Sequence, residues 1–404
     1  MLAINKTDIK ARAQALNERI ANLRHELHMC PEVSHDLPLT EAIVVRELNK
    51  LGLDEVKSGL GKGHGVIATL KGGKPGKTLA LRADMDALPL KEETGLPFAS
   101  TNGNMHACGH DAHVAMLLGV AELLAESRAE LCGTVRFIFQ PAEETVAGAT
   151  SMIESGALEN PKVDAIVGLH TGNIWNGFTP GQIGWRTGPM MASTCTVKIV
   201  FEGKGGHGAM PHLTVDPIVM AGEAICQLQT LVSREISPFE PAVLSLCRIE
   251  GGTAHNIIAQ NCTLFGTLRT FSLEVDAFLK SRIRTVVEGV AAIARGQAAV
   301  ELLAPLPLLA NDEQYSKKMR DIVAKTLGEE WVKEIALPTS GGEDFPYYLE
   351  RVPGAFFFHC SAFDPSGPEE TRNYPHHNPK FDVNESTLWT GTAALAAFAL
   401  HWQD

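Results

Sequence analysis

The sequence predicts an α/β fold: an open mixed-sheet domain into which a smaller βαββαβ (ferredoxin-like) domain is inserted. Three observations carry this. Short apolar runs alternate with amphipathic helical stretches, the pattern of an open α/β sheet. Several of those runs end in acidic or histidine residues, as strands do when their C-terminal ends deliver polar groups. After Arg186-Thr187-Gly188-Pro189 the alternation changes character, and it reverts near residue 305.

Thr7 to Leu27 reads as an amphipathic helix with Ile9, Ala13, Leu16, Ile20 and Leu23 on one face. Pro31 follows it, and Pro38-Leu39-Thr40 opens a second helix carrying Ile43, Val44 and Leu48. Strands are expected at 65–70 and 78–86, the second turning acidic at Asp84-Met85-Asp86. An apolar helix is expected from His113 to Ala125, then strands at 135–139 and 164–168. Within the insert, a strand at 194–201, a helix at 216–232, strands at 242–249 and 262–270, a helix at 274–294 and a strand at 298–303 spell β-α-β-β-α-β. The first domain resumes with a helix from Glu313 to Leu327, the turn Ser340-Gly341-Gly342-Glu343-Asp344, a strand at 354–359 and a terminal helix at 385–401. The domains are therefore expected at 1–188 with 305–404, and at 189–304.

A chain of 404 residues is long for one hydrophobic core and suits two. The net charge of -12 gives no electrostatic help to a nucleic-acid or anionic-membrane partner, so neither is expected. No apolar run approaches spanning length, and Met1 to Lys6 leads into a charged helical pattern rather than a signal-peptide core. Eight cysteines without framework spacing suit a cytoplasmic chain with reduced thiols.

Chemistry concentrates in Met105-His106-Ala107-Cys108-Gly109-His110-Asp111-Ala112-His113, where a thiol and several imidazoles offer what a borderline-soft divalent ion requires. Glu143-Glu144 divides naturally into a metal-binding carboxylate and a proton-handling neighbour, and a nearby dication would offset their repulsion. His170, just past a strand, and His377, in His376-His377-Asn378-Pro379, could complete two coordination shells. Two ions lower the pKa of a shared water and polarise a carbonyl, while a free carboxylate carries the proton to a leaving nitrogen. Amide hydrolysis follows from that arrangement. A rival reading makes Cys108 a thiol nucleophile, but it leaves Glu144 and His377 without work.

These stretches also carry a family likeness. Met105 to Asp111, Phe139-Gln140-Pro141-Ala142-Glu143-Glu144, Gly168-Leu169-His170, Gly205-Gly206-His207-Gly208-Ala209-Met210-Pro211-His212 and His377-Asn378-Pro379 resemble, in order, the aminoacylase/carboxypeptidase/dipeptidase family of dinuclear metallopeptidases. The branch resembled is the amidohydrolases: hippurate hydrolases, N-acyl-L-amino-acid amidohydrolases and auxin-conjugate hydrolases. The resemblance implies Cys108 as bridging ligand, with His110, Glu144, His170 and His377 completing the shells of two divalent ions. Zinc or manganese fits that set, with cobalt or nickel as alternatives. Glu143 becomes the general base and acid acting through the bridging water. Asp86 matches an acid that orients a metal-binding histidine in relatives, with Asp84 standing where its usual histidine companion would be.

The same resemblance makes the insert a lid and dimerisation domain, and the protein a homodimer or larger assembly. His207, rather than His212, would steady the oxyanion, in its own subunit or the partner's. Asn256 and Arg269 would hold the substrate's α-carboxylate, to which a guanidinium fork is suited. Gly341 and Gly342 would let the backbone approach the substrate, and Glu343-Asp344 would line the pocket or cap a helix. The implied reaction is hydrolysis of the amide bond of N-acyl amino acids. The alternatives are a carboxypeptidase or dipeptidase of the same family, or a metal-binding scaffold without turnover.

Overall fold

An eight-stranded mixed sheet organises the larger of two compact units in the structure, a computed structural model that describes residues 8–403. The unit comprises the residues up to Met190, Ala310–Thr339 and those from Asp344 onward. It opens with α1 (Ile9–His28), capped by Asp8, whose carboxylate accepts the N–H of Ala11. The expected start at Thr7, like the Met1 to Lys6 stretch, lies outside the described residues. Next come α2 (Pro38–Asn49), β1 (Glu55–Leu60), β2 (Gly65–Lys71), β3 (Lys74–Asp84), α3 (His110–Glu126), β4 (Cys132–Gln140), α4 (Gly148–Glu154) and β5 (Ala165–Gly172). The sheet order is β1-β2-β4-β3-β5, continuing through strands Gly354–Cys360, Ile183–Trp185 and Val332–Glu334. β3 lies parallel to β4 and to β5, so all three deliver their C-terminal ends to the same edge.

The apolar runs become the core. All eight residues of β5 are buried, as are six of the seven in β2, which is why these strands read as continuous rather than alternating. α3 and the terminal helix Leu388–His401 are buried nearly all round and pack with α1 over one face of the sheet. Burying each Leu or Ile here contributes about 1.5–3 kcal/mol.

This layer also buries charge. Arg24 of α1 is 1% exposed and donates to Asp111 at 3.0 Å, Glu385 at 2.6 Å and Asp382 at 3.2 Å. His28, one turn on, bridges Asp111 at 2.7 Å and Glu92 at 3.1 Å. A buried guanidinium is tolerable only with such a full set of partners.

The second unit is Met191–Leu309 with Ser340–Glu343. Its four-stranded antiparallel sheet runs in the order Ala242–Gly251, Asn261–Thr270, Ser193–Glu202, Gln297–Leu306. Val197, Ile199 and Phe201 alternate into its core. There they meet Met220, Ala224 and Leu228 from helix Pro217–Thr230, and Leu279, Ile283 and Val287 from helix Leu273–Ile293. Both helices use the four-residue spacing of a single buried stripe. The chain order is β-α-β-β-α-β.

Two expectations need correction. The unit boundary falls at Leu309 rather than 304, because the last strand runs on to Leu306. Ser340–Glu343, expected with the larger domain, belongs to the smaller unit, where the N–H of Ala192 donates to the carbonyl of Gly341 at 3.1 Å. Among the described residues no helix is long and apolar enough to cross a membrane.

Candidate functional site

Helix α3 begins at His110, three residues before the expected His113. Its N-cap is Gly109 at φ +86°, a conformation that favours glycine and lets the chain turn abruptly from Cys108 into the helix. His110 and Asp111 thus sit on the first helical turn. His110 donates through Nδ1 to the carbonyl of Asp86 at 2.8 Å. Its Nε2, fully buried, makes no hydrogen bond.

Asp86 stands two residues beyond the end of β3 and is buried. Its Oδ1 accepts the N–H of Glu143 at 3.0 Å, and Oδ2 accepts that of Glu144 at 3.1 Å. One carboxylate therefore fixes the turn that carries both glutamates, while its own main chain fixes His110. The turn leaves β4 through Ala142, which is held at φ +58° with its carbonyl accepting from Ala147 and Gly148. Left-handed backbone at alanine costs about 1–2 kcal/mol. Gly148 is required for the same turn: a Cβ there would lie 1.9 Å from the carbonyl oxygen of Pro141.

His170 and Thr171 lie near the end of β5. His170 donates through Nδ1 to the Thr171 carbonyl at 2.8 Å, leaving Nε2 3.4 Å from the sulfur of Cys108. Three further histidines grip Thr171. Its N–H donates to Nε2 of His113 at 2.8 Å, its hydroxyl pairs with Nδ1 of His359 at 2.7 Å, and its carbonyl accepts from His376 at 3.0 Å. His113 in turn contacts Asp84 at 2.5 Å. With both ring nitrogens engaged, His113 orients its neighbours. His377, at φ +64°, is tied to the cysteine loop by its N–H to the Ala107 carbonyl at 2.8 Å, and its Nε2 lies 3.4 Å from Glu144 Oε1.

The ligating atoms of Cys108, His110 and His170 lie within 4.8 Å of one another, and so do those of Cys108, Glu144 and His377. The two trios share the sulfur. His110, Glu143 and Glu144 form a third group at the same spacing. The electrostatics favour cations. Burial opposes a charged His110, yet the Asp84 and Cys108 anions outweigh it and hold its pKa well above the imidazole range. Hydrogen bonds to Cys108 and Glu144 push His377 up to about 10. Burial holds His170 well below its ordinary value and raises the Cys108 thiol. Nδ1 donating to a backbone carbonyl with Nε2 turned inward, as in His110 and His170, is the presentation metal-binding histidines use.

The remaining candidates belong to the second unit. His207 is exposed on the two-residue strand Gly206–His207, which pairs with Ile257–Ile258. Its Nδ1 accepts the N–H of Ala209 at 3.0 Å, and the Asn256 carbonyl accepts from Gly208 at 2.8 Å. His207 and Asn256 are thus neighbours within one hairpin-like contact. Arg269 is half-buried, donating to the Thr267 hydroxyl at 3.0 Å. Gly341 and Gly342 lie by the start of strand Ser193–Glu202, where a Cβ on Gly342 would be 3.0 Å from Thr194. His212 is exposed in a single 3-10 turn.

Arg82 and Asp344 carry buried charge near the glutamates, yet no role for Arg82 is legible in the sequence, and Asp344 reads there as either a pocket-lining or a helix-capping residue. Asp344 accepts the N–H of Ala149 in the first turn of α4 at 2.8 Å.

The model of peptidase family M20/M25/M40 matches residues 80–401. The chain belongs to that family. It is 40% identical over 393 residues to the N-acetylcysteine deacetylase of Bacillus subtilis (strain 168), covering 96% of this chain and 97% of that one. It is 37% identical over 396 residues to the IAA-amino acid hydrolase ILR1-like 4 of Arabidopsis thaliana, covering 95% and 85%. The crystal structure of a Bacillus subtilis protein described as a dinuclear metal binding peptidase of the M20 family superposes with a TM-score of 0.81 at 36% identity, over 96% of this chain and 98% of that one. The family member described here is an enzyme, a hydrolase, with the α/β architecture of those relatives.

Proposed function

We propose that this hydrolase cleaves the amide bond of N-acyl amino acids, releasing a carboxylic acid and the free amino acid, with two divalent ions as cofactors. The observation that carries the reading is the pair of ligand trios sharing Cys108, beside Glu143. The donor set fits the metals: the buried Nε2 of His110 has no hydrogen-bond partner, and the neighbouring anions pull His110 toward positive charge. Cys108, His110 and His170 would hold one ion, and Cys108, Glu144 and His377 the other. When bound, such ions polarise the scissile carbonyl and acidify a water, and zinc or manganese suits one thiolate, three imidazoles and a carboxylate.

The chain's own groups do the rest. Glu143, held by Asp86 through its backbone, takes the proton of the attacking water and returns it to the leaving nitrogen. Asp86 keeps His110 in the tautomer that frees Nε2. His207 would donate to the oxyanion, in its own or a partner subunit, and Arg269 with Asn256 would take the α-carboxylate, with Gly341-Gly342 leaving room for the substrate backbone. A homodimer formed through the smaller domain, acting as a lid, completes the proposal.

Hydrolysis of hippurate and N-acetyl amino acids, assayed with and without chelator, tests the reading. Chelator-sensitive turnover is expected. Preference for dipeptides would move the assignment to a peptidase, and bound metal with no turnover on any acyl amino acid would favour a scaffold. In the Glu143→Gln variant both metals should remain while turnover drops by about 10²–10⁴-fold.

A further inference from the structure

Resting on that reading of Glu143, we propose that Asp344 is a positioning residue for the proton-handling carboxylate. Its side chain is completely buried and accepts hydrogen bonds from three directions. Arg82 of β3 donates Nη2 to Oδ1 at 2.8 Å. Gln140, the last residue of β4, donates Nε2 to Oδ1 at 2.8 Å and Oδ2 at 2.9 Å. Ala149, at the start of α4, donates its N–H to Oδ2 at 2.8 Å. The partners are themselves locked: Arg82 Nε donates to Gln140 Oε1 at 2.9 Å, and the Tyr348 hydroxyl donates to the same oxygen at 3.0 Å.

What this immobilised residue offers is its main chain. The N–H of Asp344 points at Oε1 of Glu143 across 3.3 Å. Gln140 and Ala149 flank the turn that carries Glu143, so one carboxylate grips the turn from both sides while the same residue's N–H meets the glutamate's oxygen. Asp86 fixes the backbone of Glu143 and Asp344 fixes its side chain. A backbone donor aimed at a carboxylate oxygen restricts its rotamers and selects one oxygen for the proton. A buried Arg–Asp pair that served stability alone would need no N–H directed at Glu143.

The test is a cycle of Asp344→Asn, Glu143→Gln and the double variant in the metal-loaded protein, measuring kcat and KM on an N-acyl amino acid together with metal content and Tm. The Asn side chain keeps the shape but loses one acceptor of three donors. We expect kcat to fall about 10–100-fold with KM moved less than about threefold and metal content that of the wild type. In the Glu143→Gln background, Asp344→Asn should cost almost nothing further, since the group it positions is gone. An equal cost in both backgrounds, or an unchanged kcat, overturns the proposal. Should Asp344→Asn not fold, Tyr348→Phe removes one peripheral hydroxyl of the same cluster. It should lower kcat about threefold in the wild-type background alone, and wild-type kcat there overturns the proposal. If instead Glu143→Gln is as active as wild type, it is the assignment of Glu143 that fails.

Discussion

Asp86 accepts the backbone N–H of Glu143 at 3.0 Å, a contact between residues 57 positions apart in the chain. A second oxygen of the same side chain accepts from Glu144. In Asp86→Ala these two N–H groups lose their acceptor, at about 1–3 kcal/mol for each. We expect a urea midpoint shifted down and a kcat/KM about 10–100-fold lower, read in unfolding curves and steady-state kinetics. Unchanged kinetics would show that the glutamate turn holds without Asp86.

Cys108 is the atom common to both trios, so its loss should release both ions rather than one. Cys108→Ala is expected to weaken metal binding by more than about 100-fold, beyond the usual effect of a residue behind the ligands. Cys108→Asp, which restores an anion with two oxygens, should recover part of it. Metal stoichiometry after dialysis distinguishes the three proteins, and equal metal content in wild type and Cys108→Ala would refute the shared-sulfur reading.

Gly148→Ala places a methyl group against the Pro141 carbonyl and the Gln140 side chain. Both are fixed by the turn and the sheet, so the backbone itself must shift. We expect a loss of roughly 1–3 kcal/mol of stability and a lower kcat, because the displaced segment carries Glu143. A variant with wild-type melting temperature and turnover would contradict the close approach.

His28 gives a pH signature in stability. Burial opposes its charged form, but hydrogen bonds to Asp111 and Glu92 outweigh it and push its pKa up to about 9, against 6.5 when unperturbed. A raised folded-state value means the contribution is complete below pH 6.5 and fades as pH rises through about 9. The Tm gap between wild type and His28→Gln should therefore be widest near pH 6 and shrink by pH 9.5. A gap that widens over that range would reverse the assignment.

Patterning and motif were readable where the chemistry is local. The βαββαβ order could be traced because each of its strands and helices presents one apolar face, as in Val197, Ile199 and Phe201. Cys108, His110, Glu143, Glu144, His170 and His377 stood out as metal-capable types at strand ends and tight turns. The start of α3 at His110 is hard to read from sequence because nothing in the residues around Gly109 announces its left-handed turn. The strand Val332–Glu334 went unseen for another reason: three residues, two of them exposed, carry no alternation to detect. Arg82 and Asp344 look like ordinary surface charges in sequence. Only the contact of segments 262 residues apart makes them a buried pair.

The Arg24 cluster gives the first helix a reach beyond its own packing. Asp111 directly follows His110, and Asp382 lies five residues past His377, so one guanidinium anchors the flanks of two stretches that meet at the sulfur. A shortened protein beginning at α2 would keep all the proposed ligands, yet leave the buried Asp111 without Arg24 and His28. The N-terminal helix is thus the keystone of an arch built from other segments, and trimming it should cost metal retention before it costs the sheet.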